Sequence, residues 1–128
     1  MAVAARLRGR GLAGFFVTGP AEGPALAGTV ASRLPEGWSL LREPPLADLA
    51  GLLARCGVYL GNDSGVTHLA AAVGAPVLAL FRDENLPAWR PCGRALVLSA
   101  AEPAGISVSD VLAGLARFPG PSALQYRP

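Results

Sequence analysis

Short, continuous apolar runs alternate with helix-like stretches along most of this sequence. The runs that predict strands are residues 14–17, 38–41, 58–60, 77–81 and 95–98. Such runs are typical of strands buried on both faces, and their alternation with helices predicts βαβ units and a parallel sheet. Parallel sheets bind ligands beyond the carboxyl ends of their strands. We therefore expect the chemistry of this chain in segments that follow strands, namely residues 18–22, 61–68 and 82–89.

Length and composition agree with one globular domain. The chain has 128 residues, of which 52% are hydrophobic and 16% are charged, so it is long and apolar enough to form a core. A net charge of +2 is too small to indicate nucleic-acid binding. No apolar run approaches the roughly 20 residues of a membrane-spanning helix. We predict an α/β domain at residues 1–118, a tail at residues 119–128, and a cytoplasmic location.

The segment from Gly61 to His68 follows a predicted strand and opens a predicted helix. Its two glycines, Gly61 and Gly65, allow the backbone to approach a ligand closely. A helix start offers unpaired N–H groups and about half a positive charge, which together suit a phosphate group. The alternative is that Asp63 or Ser64 serves only as the N-cap of the helix.

Several catalytic motifs do not fit this segment. A nucleophile elbow needs a serine centred between glycines, whereas Ser64 stands directly before Gly65. The phosphate-binding loop of nucleoside triphosphatases needs a lysine, and all 11 basic residues are arginine. One histidine and two cysteines 36 positions apart give no metal-binding pattern. We predict no metal and no cofactor.

Residues 61–81 resemble the donor-site motif of the lipopolysaccharide heptosyltransferases, glycosyltransferase family 9. The family pattern D-[ST]-G-x-x-H-L-A-A-A-x-G-x-P is matched by D-S-G-V-T-H-L-A-A-A-V-G-A-P, from Asp63 to Pro76. Three flanking segments are also similar to the family: F-V-T-G-P-A-E at 16–22, P-L-A-D-L-A-G-L-L-A at 45–54 and W-R-P-C-G at 89–93. The resemblance extends from about residue 1 to residue 118.

The resemblance implies one half of a GT-B fold, a three-layer Rossmann-like domain that binds a nucleotide diphosphate sugar, often ADP-heptose. Asp63 would contact the sugar or position the loop. The backbone amides of Ser64, Gly65 and Val66 would hold the diphosphate. The implied reaction is an inverting, metal-independent glycosyl transfer, in which the helix start stabilises the leaving diphosphate.

Other implied site residues lie on both sides of this turn. Thr67 belongs to the same phosphate-binding motif, and His68 would sit one helical turn inside the phosphate site. Glu22 would bond a hydroxyl of the ribose or the sugar. The turn formed by Pro44 and Pro45 would lie near the base. We expect Asp63, Ser64, Gly65 and His68 to line one concave site with Glu22 on its rim, and we interpret Trp89 as a packing residue.

The chain also departs from the family pattern. The acceptor domain with its catalytic base, and the first strand of the donor domain, would precede Met1, so we expect no catalytic residue here and no transfer by this chain alone. After Phe81 the family has G-P-T-x-P, whereas residues 82–87 read R-D-E-N-L-P. This loop normally meets the donor, and its two acids would repel a diphosphate unless Arg82 compensates for them.

Three functional hypotheses follow. The first is the donor-binding half of a glycosyltransferase of lipopolysaccharide biosynthesis, either cut short or working with a separate acceptor-domain chain. The second is a non-catalytic module that binds a nucleotide or nucleotide sugar, and the third is a degenerate remnant. The intact run at residues 63–68 favours the first two, and the acids at positions 83 and 84 favour the last two. The first would place the chain in the cytoplasm or at the inner membrane.

The family pattern also bears on strand pairing. The strand that it places between residues 14–17 and residues 58–60 is missing, and bare strand edges are costly. We therefore expect these two strands to pair directly, which gives one five-stranded sheet of order 2-1-3-4-5. The alternative is a homodimer in which a second copy covers the gap.

Overall fold

The computed structural model describes residues 1–119, in which five strands alternate with helices. The strands are β1 (Gly14–Thr18), β2 (Trp38–Arg42), β3 (Tyr59–Asn62), β4 (Val77–Arg82) and β5 (Ala95–Ala100). The helices are α1 (Ala2–Arg8), α2 (Gly23–Ala31), α3 (Leu46–Leu53), α4 (Gly65–Ala72), α5 (Leu86–Trp89) and α6 (Val108–Leu115), with short 3-10 turns at Pro20–Glu22 and Pro103–Gly105. The predicted α/β class and the five strands are confirmed. Apart from Pro119, the predicted tail lies outside the described residues.

The chain divides into two compact units, and the first comprises Met1–Asp48. In this unit β1 and β2 pair in parallel, with Gly14 opposite Trp38. A Cβ atom on Gly14 would come within 2.7 Å of the Trp38 ring, so this position requires glycine. The indole N–H of Trp38 donates to the Leu12 carbonyl at 3.2 Å, and its ring lies 5.6 Å from that of Phe16. The indole is therefore both packed and hydrogen-bonded.

The second unit begins at Leu49 and is built on a parallel sheet of order β3-β4-β5. The central strand β4 carries the core, because Val77, Leu78, Ala79 and Phe81 are all fully buried. Leu78 packs against α6, where a Cβ atom on Gly114 would lie only 3.0 Å from the leucine methyls. Neighbouring residues of a strand face opposite sides of the sheet, so β4 is covered on both faces. The continuous apolar run in the sequence predicted this correctly.

The direct pairing expected between the first and third strands is not formed. Within residues 1–119, β1 pairs with β2, and β3 pairs with β4, in two separate sheets. The neighbours predicted within each part of the 2-1-3-4-5 order are present, but the ladder that would join them is absent.

Two helices show why local sequence was informative. In α3 the leucines at three- and four-residue spacing include the buried Leu49 and Leu53, as an amphipathic helix requires. Helix α6 starts at a capping box in which Ser107 and Asp110 satisfy each other's amides. No helix in the described part of the chain has both the length and the apolar character needed to cross a membrane.

Candidate functional site

The turn after β3 is shorter than the sequence predicted. The ladder with β4 continues through Gly61 and Asn62, which lie opposite Ala79 and Leu80. The amide of Asp63 then donates to the Leu80 carbonyl at 3.1 Å. Strand β3 therefore ends two residues later than predicted, because its ladder with β4 continues through Asn62. Only two residues, Asp63 and Ser64, separate β3 from α4.

Ser64 is the N-cap of α4. Its backbone is extended, with φ −157° and ψ 160°, and its Oγ accepts from the Thr67 amide at 3.4 Å. This resolves the choice left open between Asp63 and Ser64. The cap bond leaves the amides of Ser64, Gly65 and Val66 without an acceptor among residues 1–119, as expected for a helix start. These are the three amides that the sequence motif selected.

Gly61 and Gly65 differ in the space that surrounds them. A Cβ atom on Gly61 would come within 2.4 Å of the Tyr59 hydroxyl oxygen, so the tyrosine ring fills the space over this residue. A Cβ atom on Gly65 would meet nothing within 4 Å. Gly65 is exposed and its φ lies outside the left-handed region. Neither packing nor backbone conformation demands glycine there, while open space is what an approaching ligand needs.

Thr67 has a structural role in this turn. Its side chain is fully buried, and its hydroxyl donates to the Asn62 carbonyl. The Thr67 Oγ1 atom also lies 3.4 Å from the Tyr59 hydroxyl and 3.3 Å from the Ser64 Oγ. A hydroxyl so placed has no access to a ligand, so we correct its expected place among the ligand contacts. It instead joins the end of β3 to the first turn of α4.

Asp63 lies close to His68 and is hydrogen-bonded to a third residue, Asn85. The Asp63 Oδ1 atom is 3.9 Å from the His68 Nε2 atom, with side-chain exposures of 27% and 38%. The Asp63 Oδ2 atom accepts from the Nδ2 atom of Asn85 at 2.9 Å. Sequence reasoning missed Asn85, since it lies 22 positions away in a loop and no periodic pattern marks it. The available signal was that residues 82–87, which include Asn85, differ from the G-P-T-x-P segment of the family pattern.

The acidic loop after β4 contains its own counter-charge. The Arg82 guanidinium pairs with Glu84, with Nη1 and Oε1 3.2 Å apart, and with Glu102. Arg82 therefore pairs with Glu84, one of the two acids of the loop, but it also pairs with Glu102, so its single charge cannot neutralise the carboxylates of Asp83, Glu84 and Glu102 together. Trp89, at the end of α5, is 60% exposed, so the interpretation of this residue as a packing residue was wrong.

The remaining predicted site residues belong to the first unit. The Glu22 carboxylate accepts from the Gly19 amide at 2.7 Å and is exposed. Pro44 and Pro45 form an irregular connection between β2 and α3, after Glu43, whose φ is +46°. Their expected contacts with the ribose, sugar or base stay predictions. In the part of the chain that the structure describes, no group of three or more His, Cys, Asp or Glu residues is placed to hold a metal ion.

Comparisons with known proteins identify the family. Residues 1–109 match the family described as glycosyltransferase family 9 (heptosyltransferase). The chain belongs to glycosyltransferase family 9. A solved structure of a family 9 glycosyl transferase from Veillonella parvula DSM 2008 superimposes with a TM-score of 0.68 at 21% identity, over 94% of this chain and 34% of the other. No curated protein gave a significant match.

The structural likeness shows that the family 9 fold is shared. The chain spans about a third of the length of the Veillonella protein. The motif from Asp63 to Pro76 covers the turn after β3, all of α4 and the approach to β4. The loop with Asn85 lies within the residues that match the family.

Proposed function

We propose that this chain is the donor-binding half of a family 9 glycosyltransferase. The observation that carries the proposal is the start of α4, where the amides of Ser64, Gly65 and Val66 have no acceptor among residues 1–119. The space over Gly65 is open. A diphosphate placed there would accept hydrogen bonds from these amides and interact favourably with the positive end of the helix dipole.

In this proposal the rest of the donor lies beside the diphosphate. Asp63 is the acceptor for a sugar hydroxyl, because its carboxylate is partly exposed and immediately precedes the three amides. His68 lies one turn into α4 with its Nε2 toward Asp63, next to the expected phosphate position. The family resemblance further assigns Glu22 to a hydroxyl of the ribose or the sugar, and it assigns the turn at Pro44 and Pro45 a place near the base.

The chemistry assigned to this half is stabilisation of the leaving group. As the glycosidic bond to the diphosphate breaks, negative charge develops on the diphosphate oxygens, and preorganised amides stabilise it without reorganisation. Transfer also requires an acceptor hydroxyl held in line and a base within reach. We assign both to a separate acceptor domain or chain that holds a lipopolysaccharide precursor. The 128-residue chain on its own should therefore give no sugar transfer.

A second candidate function is a non-catalytic module that senses or carries a nucleotide or nucleotide sugar. The observation that favours it is the acidic loop after β4, where Arg82 is occupied by Glu84 and Glu102. The net negative charge of this loop repels a diphosphate and lowers the affinity of the chain for it. A degenerate remnant, in which the motif serves only as turn and cap, would bind neither nucleotides nor nucleotide sugars.

Calorimetric titration with ADP, UDP, GDP and their glucose conjugates tests the proposal. The parent should bind at least one of them, and Gly65→Val should weaken that binding about tenfold or more, because the branched side chain blocks the amides. The matched control is Gly51→Val, since a Cβ atom on this helical glycine also meets nothing within 4 Å. Equal binding by the parent and Gly65→Val would contradict the proposal, as would the absence of binding by the parent.

A further inference from the structure

We infer that Asn85 is a positioning residue that fixes the carboxylate of Asp63 and thereby selects for ligands with a sugar hydroxyl. The inference rests on the proposed function, because it assigns Asp63 to a nucleotide diphosphate sugar. The contact that carries it is the 2.9 Å hydrogen bond from Asn85 Nδ2 to Asp63 Oδ2. A carboxylate only accepts, so the amide nitrogen is the group that faces it.

The backbone of Asn85 is held independently of this bond. Its amide donates to the Arg82 carbonyl at 3.1 Å, and its carbonyl accepts from the amides of Ala88 at 3.2 Å and Trp89 at 2.9 Å. Asn85 occupies the N-cap position of α5, yet its side chain makes no cap bond there. The side chain therefore projects from a backbone that is held in place. Among the described residues it donates to Asp63, and it makes no cap bond to its own helix.

The bond makes the two oxygens of Asp63 different. Oδ2 is occupied by Asn85, whereas Oδ1 lies 3.9 Å from His68 Nε2, which is too long for a hydrogen bond. No donor in residues 1–119 bonds Oδ1. A carboxylate that is hydrogen-bonded through one oxygen keeps its other oxygen in a fixed orientation. Recognition of a hydroxyl requires such preorganisation.

This arrangement predicts a specificity. A nucleotide diphosphate without a sugar makes no use of Oδ1, while a sugar hydroxyl would donate to it. Loss of the Asn85 amide should therefore weaken a nucleotide sugar and leave the bare nucleotide diphosphate nearly unaffected. A purely structural contribution of Asn85 to the loop would weaken both ligands together.

The first measurement needs no ligand. His68 is the single histidine of the chain, so its imidazole gives an unambiguous pair of proton resonances. Asn85→Ala should shift this pair, because the released Asp63 carboxylate changes the field at the ring. The control is Asn62→Ala, which removes an exposed asparagine next to Asp63 that makes no side-chain bond to it. Resonances that stay in place in Asn85→Ala, or move equally in Asn62→Ala, would overturn the inference.

The second measurement compares ADP with ADP-glucose by calorimetry. For Asn85→Ala we expect the affinity for ADP-glucose to fall about fivefold to tenfold, with less than about a twofold change for ADP. Equal losses for both ligands, or no loss for either, would overturn the inference while leaving the proposed function intact. A parent that binds none of ADP, UDP, GDP and their glucose conjugates would overturn the proposed function instead, and the His68 resonances would then decide the positioning role alone.

Discussion

The ring of Tyr59 lies across Gly61, so closely that a Cβ atom there would come within 2.4 Å of the tyrosine hydroxyl oxygen. The two residues are two positions apart in β3 and therefore face the same side of the sheet. The tyrosine leans along the strand and brings its hydroxyl to 3.4 Å from Thr67 Oγ1 in the first turn of α4. Gly61 thus serves packing, and it supports the turn from which the free amides project.

We expect Gly61→Ala to destabilise the chain by about 1–3 kcal/mol, because the added methyl forces the Tyr59 ring out of its place. Urea unfolding followed by circular dichroism would measure the change. Gly51→Ala is the matched control, since an added Cβ there meets nothing within 4 Å and alanine favours a helix. Equal unfolding midpoints for Gly61→Ala and the parent would show that the packing of the Tyr59 ring does not require glycine at position 61.

Thr67→Val should also cost about 1–3 kcal/mol, although the two side chains have similar volumes. The Thr67 hydroxyl is buried and donates to the Asn62 carbonyl, so valine leaves that carbonyl without its partner. The control is Thr29→Val in α2, where the exposed hydroxyl donates to the Ala25 carbonyl and water can replace it. The free energy of unfolding from urea titration is the measurement. A loss no larger than that of the control would refute a structural role for this hydroxyl.

The start of α6 predicts a pH dependence. The Ser107 hydroxyl, and then the Ser107 amide, donate to the Asp110 carboxylate and hold its pKa below the ordinary value of an aspartate. A lowered pKa in the folded state contributes stability that is present above the ordinary value of about 3.9 and is lost as the pH falls through the lowered value. The melting temperature should therefore fall on acidification below about pH 4.

Ser107→Ala tests the cause of this acid sensitivity. Without the hydroxyl, the pKa of Asp110 should return toward its ordinary value, and the melting temperature should fall less steeply with acid. Asp110→Asn removes the titrating group and should flatten the profile at least as much. Melting curves between pH 2 and 7 would show this, and a Ser107→Ala profile parallel to that of the parent would contradict the assignment.

The features that the sequence predicted correctly are those set by interactions within one short segment of the chain. The run at 77–81 identified β4 because a strand buried on both faces must be apolar at every position, and Ser64 was one of two cap candidates on local chemistry alone. The three amides named by the motif have no acceptor among residues 1–119, and their role in binding a ligand stays a prediction. The end of β3 was misplaced because a ladder with β4 sets it, and neither Gly61 nor Asn62 favours a strand.

Other features could not be predicted because they depend on distant parts of the chain. The helix α5 has four residues, too few for a periodic pattern, and Asn85 reaches Asp63 across 22 positions. The expected ladder between β1 and β3 was inferred from the cost of bare edges, and no local pattern could show whether the two strands meet in register. The burial of Thr67 depends on Tyr59 and on the end of β3, and nothing in the motif itself distinguishes it from a ligand contact.

The central proposal is that free amides at the start of α4 bind a diphosphate, and nitrogen-15 NMR titrations with ADP, UDP and GDP test it most directly. We predict that the amide resonances of Ser64, Gly65 and Val66 shift most and saturably, and that Gly65→Val abolishes these shifts while its spectrum remains that of a folded protein. Resonances at these three residues that stay unmoved at millimolar concentrations of all three nucleotides, or larger shifts elsewhere in the chain, would contradict it.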